Sequence, residues 1–542
     1  MRISDIERTI EEAVKETYPN IRSLPSLQPA PSGFGDFSVN TFALAKEIHK
    51  NPKSIAEDIV KHINTPYISS VTVAKSGYVN LHLSAKAYKE FLKELEEKRE
   101  KYFYKEKNNK KVQVEFVSAN PTGPLHIGNG RGGIIGDVLT NVLKTEGFDV
   151  KKEYYVNDAG SKMLLFAKSI AYYYAKQLGK EVEVVEEGYK GDYIKEIAEE
   201  LFNEYKDKLL DENGEPLLKE IQELGKEKMM KRIKSALKEF GVEFDNYFYE
   251  SSLYKSGEVE KTIKIFKESG YTYEKDGALW FKSTAFGDDK DRVLIRKTGE
   301  PTYTLVDASY HINKWNRGFK KAIDIWGADH FGHIIPMKAL IQGAGLPKDF
   351  LDVIIYQIVH LFKEGKEVTM SKHSGVFITL TDLVSEVGRD AARFFFLLKS
   401  SNTHLNFDMD LAKKQSMDNP VYYVQYTYAR LKSVLRKAEE QGIAYSGIKN
   451  IELISLKDEE RDILNYAFYL NREIEITAKT YQVHRIPFVT MDFCKKINTF
   501  YQKYKILSSD SYVQPRLAIV HNAVTILSFL MDLMGIEKKE RM

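Results

Sequence analysis

Cysteine is nearly absent from this chain of 542 residues, since Cys494 is the only one. A single thiol excludes an internal disulfide framework and any zinc site built from several cysteines, and we predict no structural metal. We also expect no membrane span, because the apolar stretches fall short of the roughly 18 residues that one requires. The N-terminus carries acidic residues early and lacks the apolar region of a signal peptide. These absences predict a soluble, cytoplasmic protein.

The chain also lacks a large excess of positive or negative residues. Lysine and arginine number 80 against 77 aspartates and glutamates, for a formal net charge of +3. Such a balance neither requires nor excludes a nucleic-acid partner, because a local basic face can exist on a nearly neutral protein. The composition is otherwise that of a globular protein, with 43% hydrophobic and 29% charged residues. The length predicts about three or four domains.

The order of helical and strand-like patterns divides the chain into three regions. Residues 1–108 combine helices with a hairpin-like alternation, which predicts a small α+β domain. Residues 109–400 alternate strands and helices, as in the open parallel sheet of a Rossmann-type α/β domain, with a helical insertion at about 170–265. Residues 401–542 show only helical patterns, which predict an all-α bundle. The strand candidates are 112–117, 150–156, 292–296, 321–326 and 351–359, with none after about 400.

The most informative segment is a turn between the first of these strands and a helix. It reads Ala-Asn-Pro-Thr-Gly-Pro-Leu-His-Ile-Gly-Asn over residues 119–129. A glycine- and proline-rich turn that enters a helix offers free backbone N–H groups and the positive end of the helix dipole to an anion. Gly128 lets a flat ring or a phosphate approach the backbone, and His126 adds a hydrogen-bond donor. The alternative is a surface loop that happens to contain a histidine.

A second motif follows the strand at 321–326. Its form is Gly-x-Asp-x-x-x-His, from Gly327 through Asp329 to His333. The glycine allows close approach of a nucleoside, and the carboxylate can accept hydrogen bonds from ribose hydroxyls. Asp329 could instead simply cap the helix that follows. The position at the edge of the predicted sheet favours nucleotide contact.

A third motif, Met370-Ser371-Lys372, enters a loop that ends at Gly375. Two short apolar strands around a Lys/Gly turn precede it, and His360 lies on the first of them. The mobile ammonium group of Lys372 suits phosphate chemistry, because it can neutralise charge that builds up during transfer. A lone loop lysine is more often only solvated surface. Its position after the histidine motif favours the catalytic interpretation.

These motifs resemble the signatures of the class I aminoacyl-tRNA synthetases. His126-Ile-Gly-Asn129 is similar to His-Ile-Gly-His, and the third motif is similar to Lys-Met-Ser-Lys with Thr369 replacing the first lysine. The wider string from Glu115 to Gly128 resembles the arginyl-tRNA synthetases specifically. The resemblance implies catalytic roles for His126, Asn129 and Lys372, without a covalent nucleophile. It implies ATP binding by Pro121, Gly123, His126, Gly128, Asn129, Gly327, Asp329, His333, His360, Met370, Ser371 and Lys372.

The same resemblance implies that the amino acid is arginine. A guanidinium group presents five donors in a plane, which carboxylates satisfy in pairs. Asp307 follows Tyr303 by four residues, a spacing that puts both side chains on one face of a helix. The alternatives are a packed core ring for Tyr303 and an edge-strand charge for Glu115, which if buried requires a cationic partner, ligand or otherwise. The resemblance assigns arginine binding to Glu115, Ser118, Asn120, Tyr303, Asp307 and His330.

Tyrosines alternate with basic residues near the start of the predicted C-terminal bundle. Aromatic rings can stack on unpaired bases, and basic side chains can contact phosphates, although helical spacing requires some of these tyrosines to be core. The segment resembles the anticodon-binding domain of arginyl-tRNA synthetases, and residues 1–108 resemble their N-terminal domain, with an expected tRNA contact. We predict tRNA contacts at Tyr422, Tyr426 and Arg430.

The sequence therefore predicts an arginine–tRNA ligase. ATP, as its Mg²⁺ complex, and L-arginine would form arginyl-adenylate and pyrophosphate, and the arginyl group would pass to the 3′-terminal ribose of tRNA. We expect a monomer that contacts the anticodon and the acceptor end and does not bind membranes. The alternatives are a class I synthetase for another amino acid, a small nucleotidyltransferase, and a non-catalytic tRNA-binding paralogue. A paralogue would be expected to lose His126, Gly128 or Lys372, and all three are present.

Overall fold

The chain forms two compact units in a computed structural model that describes residues 2–31, 33–180, 182, 185–368, 378–452 and 456–542. The first unit contains both ends of the chain, Met1–Glu106 and Gln415–Met542. The second unit is Lys107–Lys414. The three motifs of the sequence analysis all belong to the second unit, and the tyrosine-rich segment belongs to the first.

The N-terminal part of the first unit has the predicted α+β character. It contains α1 (Ile3–Thr17), β1 (Leu27–Pro29), β2 (Phe37–Asn40), α2 (Phe42–Ile48), α3 (Pro52–Val60), β3 (Ile68–Val73), β4 (Tyr78–Leu83), α4 (Ala85–Lys98) and a 3-10 helix (Arg99–Phe103). The four strands pair antiparallel in the order β1-β2-β4-β3. Asn51 caps α3 by accepting a hydrogen bond from the Lys53 N–H, and Pro52 takes the first helical position, where a missing N–H costs nothing.

The second unit begins with the strand and helix that flank the histidine turn. Its first half contains β5 (Lys111–Glu115), α5 (Ile127–Thr145), β6 (Asp149–Val156), α6 (Ser161–Gln177), α7 (Asp192–Tyr205), α8 (Leu218–Glu239), β7 (Asn246–Tyr249), α9 (Ser251–Lys255), α10 (Glu258–Glu268), β8 (Thr272–Lys275), β9 (Ala278–Phe281), a 3-10 helix (Ser283–Phe286) and β10 (Arg292–Ile295). Its second half contains α11 (Tyr303–Asn316), β11 (Lys321–Gly327), a 3-10 helix (Ala328–His333), α12 (Ile334–Gly343), β12 (Leu351–Tyr356), β13 (Val359–Lys363), β14 (Lys366–Glu367), α13 (Leu380–Val387), α14 (Arg389–Leu397), β15 (Leu405–Asp408) and α15 (Met409–Lys413).

The predicted parallel sheet is confirmed. It has five strands in the order β12-β11-β5-β6-β7, all paired in parallel. The apolar residues of β5 are buried, as expected for a central strand covered on both faces. Because β5 and β11 are neighbours, the turn after β5 and the turn after β11 leave the sheet at the same carboxyl edge, where open α/β sheets bind ligands.

Four details of the predicted strands were wrong. The segment 292–296 forms β10, which pairs antiparallel with β9 in a separate three-stranded sheet. The predicted helical insertion contains β7, the edge strand of the main sheet. The segment 351–359 is not one strand, because Gln357 donates its N–H to the Ser401 carbonyl at 2.9 Å and the chain then enters β13. A strand also follows residue 400, since β15 pairs in parallel with β13.

The C-terminal part of the first unit consists of the predicted helices: α16 (Pro420–Glu440), a 3-10 helix (Ile448–Asn450), α17 (Asp458–Thr480), α18 (Arg485–Lys503) and α19 (Val513–Met534). The expectation that no stretch is long and apolar enough to span a membrane was wrong for α19, whose mean hydropathy is 1.7 over an 18-residue window. That window is 78% buried inside the protein. The apolar surface of α19 is therefore used in the core of the first unit.

Candidate active site

The histidine turn has the geometry expected of a helix N-terminus. His126 is the N-cap of α5, and its ring Nδ1 accepts the Asn129 N–H at 3.3 Å. The Asn129 side chain accepts the His126 N–H at 3.0 Å in return. Asn129 is buried, whereas His126 is exposed at the end of the helix. Both predicted catalytic residues of this motif are thus brought together at the carboxyl edge of the sheet.

Gly128 is required by the histidine ring itself. A Cβ atom built at Gly128 would lie 2.9 Å from His126 Cε1, closer than real Cβ contacts, and 3.0 Å from Nδ1, so the ring would have to shift. The ring is held by its hydrogen bond to Asn129 and cannot move aside without losing the cap. The sequence pattern suggested the approach of a ligand as the reason for this glycine, and the structure adds the packing of His126 as a second reason.

The turn that precedes the histidine contains two strained residues. Val117 has φ 68° and Ser118 has φ 41°, in a region that side chains other than glycine rarely adopt and β-branched ones avoid. The turn is held because the Ser118 hydroxyl donates to Glu115 Oε1 at 2.9 Å and accepts the Tyr155 N–H at 3.1 Å. Backbone strain of this kind concentrates at functional sites. Asn120 follows, half-buried, two residues later.

Tyrosines from neighbouring elements support the loop that carries Pro121 and Gly123. The Tyr154 hydroxyl of β6 donates to the Ala119 carbonyl at 2.7 Å. The Tyr193 hydroxyl of α7 donates to the Thr122 carbonyl at 3.0 Å. A Cβ at Gly123 would lie 3.2 Å from that hydroxyl. The helical insertion therefore contributes directly to the conformation of this loop, which the sequence did not indicate.

The Gly-x-Asp motif lies at the exposed carboxyl end of β11. Gly327 ends the strand, and Asp329, His330 and His333 follow in the 3-10 helix with exposed side chains. His330 Nε2 lies 3.5 Å from Asp329 Oδ2. Within the described residues no side chain caps this 3-10 helix or α12, so the helix-capping alternative for Asp329 is not observed.

The third motif falls on residues 369–377, so Met370, Ser371 and Lys372 lie outside the described residues. The described chain on either side is held in place: the Val368 N–H donates to the Leu361 carbonyl and the Leu380 N–H to the Leu125 carbonyl, each at 2.8 Å. Thr379 also forms a β-bridge with His126, so residues 379 and 380 lie against the histidine motif. His360 forms a 2.6 Å contact through Nδ1 with Glu367 Oε1.

Glu115 is buried at the end of β5, and its cationic partner is Lys314. The Lys314 ammonium donates to Glu115 Oε2 at 2.6 Å and to Asp324 Oδ1 at 2.8 Å. Burial raises the pKa of Glu115 to about 7, because desolvation outweighs the attraction of Lys314. The requirement for a partner was predicted correctly, and the edge-strand alternative is not observed, because β5 lies between β6 and β11.

Tyr303 and Asp307 lie on the first turns of α11, as their spacing predicted. The side chain of Tyr303 is not a packed core ring, because the residue is 60% exposed. Its hydroxyl lies beside Gly160, 3.4 Å from the position of a Cβ built there. The Asp307 side chain is 39% exposed and has one oxygen 3.3 Å from His311 Nδ1. Both side chains are therefore accessible to a ligand.

Glu250 is an acidic residue of this region that the sequence did not reveal. It precedes α9 and is only 4% exposed. The Tyr155 hydroxyl donates to Glu250 Oε2 at 2.9 Å, and no cation pairs with this carboxylate in the part of the chain that the structure describes. Burial, followed by the charges of Asp158 and Asp307, raises the pKa of Glu250, although the bond from Tyr155 lowers it. Nothing in the local sequence marks this residue, which reaches the site only through the fold.

The three predicted tRNA contacts lie on α16 in the first unit. The rings of Tyr422 and Tyr426 are stacked, with centroids 6.1 Å apart and planes 10° apart. The Arg430 guanidinium lies 4.7 Å from the centroid of the Tyr426 ring and 4.8 Å from that of Tyr501, and it donates to Asn498 Oδ1 at 2.6 Å. Arg430 therefore belongs to an aromatic cluster that extends to α18, and Tyr501 is a member that the sequence motif did not include.

The fold and the motifs match known proteins over the whole chain. The family model for the class I (R) tRNA synthetase catalytic domain matches residues 92–434. The models for the arginyl-tRNA synthetase N-terminal domain and the DALR anticodon-binding domain match residues 4–83 and 424–542. Across the described residues, no group of three or more His, Cys, Asp or Glu side chains could hold a metal ion.

Individual relatives agree with the family models. The chain is 42% identical to the arginine–tRNA ligase of Caldanaerobacter subterraneus over 99% of this chain and 97% of that protein. It is 39% identical to the arginine–tRNA ligase of Thermotoga maritima over 100% of both chains. The solved structure of Thermus thermophilus arginyl-tRNA synthetase covers 100% of both chains with a TM-score of 0.80 at 19% identity, which supports the fold alone. The chain belongs to the arginyl-tRNA synthetase family of the class I aminoacyl-tRNA synthetases.

Proposed function

We propose that this protein is an arginine–tRNA ligase, which activates L-arginine with ATP and transfers it to the 3′-terminal ribose of tRNA. The observation that carries the proposal is the group of carboxylates at the carboxyl edge of the parallel sheet. Glu115, Glu250 and Asp307 come from three different elements, and Asp307 remains partly exposed beside Tyr303. A cationic side chain with several donors is the ligand that such a site fits.

Glu250 and Asp307 are proposed to receive the guanidinium group, with the phenol of Tyr303 beside it. Among the described residues, the buried Glu250 carboxylate accepts from one neutral donor, Tyr155, and a buried carboxylate gains from a cationic partner. Ser118 and Asn120, on the turn after β5, are proposed to face the α-amino end of arginine. Glu115 and His330 complete the proposed arginine site. Glu115 holds Ser118 through a 2.9 Å hydrogen bond. The exposed His330 lies in the 3-10 helix that follows β11.

The N-terminus of α5 and the edge of β11 are proposed to hold ATP. The phosphates would face the exposed His126 and the N-terminus of α5, where the helix dipole favours anions. Gly327 and Asp329 would contact the nucleoside, with His333 and His360 nearby. Pro121, Gly123, Gly128 and Asn129 shape this surface. Mg²⁺ would enter with ATP as part of the substrate complex.

The chemistry needs charge stabilisation more than a reactive side chain. The arginine carboxylate attacks the α-phosphorus, pyrophosphate leaves, and the ribose hydroxyl of tRNA then attacks the arginyl carbonyl to release AMP. His126 is proposed to donate a hydrogen bond to the phosphate oxygen on which charge develops. Lys372, with Met370 and Ser371, is proposed from sequence resemblance to neutralise the leaving pyrophosphate.

The first unit is proposed to bind tRNA. The C-terminal helices match an anticodon-binding domain, and the half-exposed rings of Tyr422 and Tyr426 are suited to stacking on unpaired bases. The N-terminal domain is proposed to make a further tRNA contact. We expect the working enzyme to be a cytoplasmic monomer without membrane association, which sedimentation equilibrium and cell fractionation would test.

Charging of tRNA with labelled arginine tests the proposed function. The protein, ATP, Mg²⁺ and total tRNA should convert labelled arginine into acid-precipitable arginyl-tRNA, with one AMP released for each arginine attached. Periodate-treated tRNA, which lacks the terminal diol, is the control and should accept none. Binding of tRNA without any charging would instead favour the non-catalytic paralogue, which the intact His126, Gly128 and Lys372 disfavour.

A further inference from the structure

A buried row of charged side chains connects two walls of the arginine site. Lys314 contacts Glu115 Oε2 at 2.6 Å and Asp324 Oδ1 at 2.8 Å. The other oxygen of Asp324 lies 2.8 Å from His311 Nε2. His311 Nδ1 then lies 2.8 Å from the Asp307 backbone carbonyl and 3.3 Å from Asp307 Oδ1. Glu115 and Asp307 are thus joined through three residues that the proposed mechanism does not use.

The three connecting residues cannot reach a substrate. Lys314, His311 and Asp324 are each 0% exposed. Lys314 and His311 lie on successive turns of α11, whose first turns carry Tyr303 and Asp307. Asp324 lies on β11 directly beside Glu115 in the sheet register. Side chains of register partners share one face of a sheet, so a single ammonium group can contact both carboxylates.

The row contains one more acidic side chain than basic side chains. It contains three acidic side chains, Glu115, Asp324 and Asp307, and two basic ones, Lys314 and His311. Burial and Lys314 lower the pKa of His311, but Asp324 and Asp307 reverse this and raise it to about 10, so His311 is protonated at neutral pH and donates from both ring nitrogens. The one acidic group in excess matches one guanidinium group.

We propose that Lys314 and His311 are positioning residues for amino-acid recognition, which hold Glu115 and Asp307 in their binding arrangement without touching the substrate. The inference rests on the proposed function, because it concerns the same arginine site. Loss of Lys314 would leave Glu115 and Asp324 as adjacent buried like charges, a situation that protonation or displacement of one carboxylate relieves. Where Glu115 is the carboxylate that changes, the acceptor of the 2.9 Å hydrogen bond from Ser118 is neutralised or displaced.

The test is the steady-state kinetics of Lys314→Met, a variant of similar volume without the charge. The KM for arginine in tRNA charging is expected to rise about tenfold or more, as for loss of one partner of a buried charged pair. The KM for ATP is expected to change by less than about twofold, because the ATP surface contains none of these residues. Equal increases in both KM values, or none in either, would overturn the inference.

Arg317→Met is the matched control. Arg317 is the C-cap residue of α11, three residues after Lys314, and it pairs with Glu153, the β6 register partner of Glu115, at 2.6 Å. The Arg317→Met variant removes a cation from a carboxylate in the same sheet, and neither Arg317 nor Glu153 belongs to the row. Its arginine KM should stay near that of the unsubstituted protein, and a rise as large as that of Lys314→Met would make the effect merely structural.

A double variant tests whether Lys314 acts through Glu115. In a Glu115→Gln background, Lys314→Met should add little further increase to the arginine KM, whereas independent effects would multiply and contradict the inference. If Lys314→Met does not fold, His311→Gln examines the other end of the row, because glutamine keeps a donor toward Asp324 and loses the second toward Asp307. An unchanged arginine KM in that variant would overturn the inference for His311. Failure of the unsubstituted protein to charge arginine would overturn the proposed function itself.

Discussion

The side chains of His126 and Asn129 cap the first turn of α5 reciprocally, each accepting the other's backbone N–H, at 3.3 and 3.0 Å. Because His126 Nδ1 accepts a hydrogen bond, the neutral imidazole carries its proton on Nε2. The backbone N–H of Asn129 fixes this tautomer, while the Asn129 side chain, which stands where the family signature usually has histidine, holds the backbone N–H of His126. This relationship links a departure from the signature to the proposed catalytic donor.

Asn129→Ala should consequently lower the rate of charging more than substrate binding. The substitution removes the acceptor of the His126 backbone N–H, a cap contact of about 0.5–2 kcal/mol, and so loosens the backbone that carries the ring, although the N–H that donates to Nδ1 remains. We expect kcat for tRNA arginylation to fall about tenfold, with melting temperature lowered only slightly. Asn129→His, which recreates the usual signature, should retain more activity than the alanine variant. Full activity of Asn129→Ala would show that the cap does not position His126.

Asp307→Asn and Glu250→Gln should each weaken arginine binding. Both substitutions keep the shape of the side chain and remove a charge facing the proposed guanidinium site, which costs about 2–5 kcal/mol when a buried cation loses its partner. The arginine KM should therefore rise by about 30-fold or more, with the ATP KM little changed. Glu258→Gln is a suitable control, because that carboxylate accepts hydrogen bonds from Asn313. A wild-type arginine KM in both variants would refute the pocket assignment.

The arginine KM should depend on pH near neutrality. Burial raises the pKa of Glu115 to about 7, so this carboxyl takes up a proton as the pH falls below that value and the site loses a negative charge. Arginine remains a cation throughout, and its KM should therefore increase from pH 8 to pH 6. Glu115→Gln should flatten this dependence, which initial rates at varied arginine would measure. A KM that falls on acidification would contradict the assignment.

Tyr422 and Tyr428 should respond differently to substitution by alanine. Tyr422 is half-exposed and stacks on Tyr426, whereas Tyr428 is buried. Tyr422→Ala should weaken tRNA affinity by about 1–3 kcal/mol, as for loss of a stacked base, with an unchanged melting temperature. Tyr428→Ala should instead lower the melting temperature, because it opens a cavity in the core. Filter binding and thermal unfolding would distinguish them, and unchanged affinity of Tyr422→Ala would remove this residue from the tRNA surface.

The sequence predicted those features that depend only on residues close together in the chain. The capped helix after His126 and the shared face of Tyr303 and Asp307 follow from spacing along one helix, and the structure contains both. The pairing of Glu115 with Lys314 joins residues 199 positions apart, so only the requirement for a partner could be predicted. Glu250 has no motif around it, and its contact with Tyr155 exists only after the sheet has formed.

The errors in the strand predictions also arise from contacts between residues far apart in the sequence. β10 contains a short apolar run, like a main-sheet strand, and sequence periodicity does not reveal which neighbour a strand will pair with. The short edge strand β7 lies between α8 and α9 in the sequence, and its residues do not alternate between apolar and polar. A local pattern thus indicated β10 as a strand but could not reveal its sheet, and β7 forms through tertiary contacts without such a pattern.

Activation of arginine, on which the proposed function depends, is best measured by ATP–pyrophosphate exchange with each of the twenty amino acids, with and without tRNA. We expect exchange with arginine alone among them, and from the family resemblance we expect this exchange to need tRNA. Lysine carries the same charge but lacks the planar guanidinium group, so exchange with lysine is the most stringent test of specificity. Exchange supported by lysine or by another amino acid, with none for arginine, would contradict the proposed specificity.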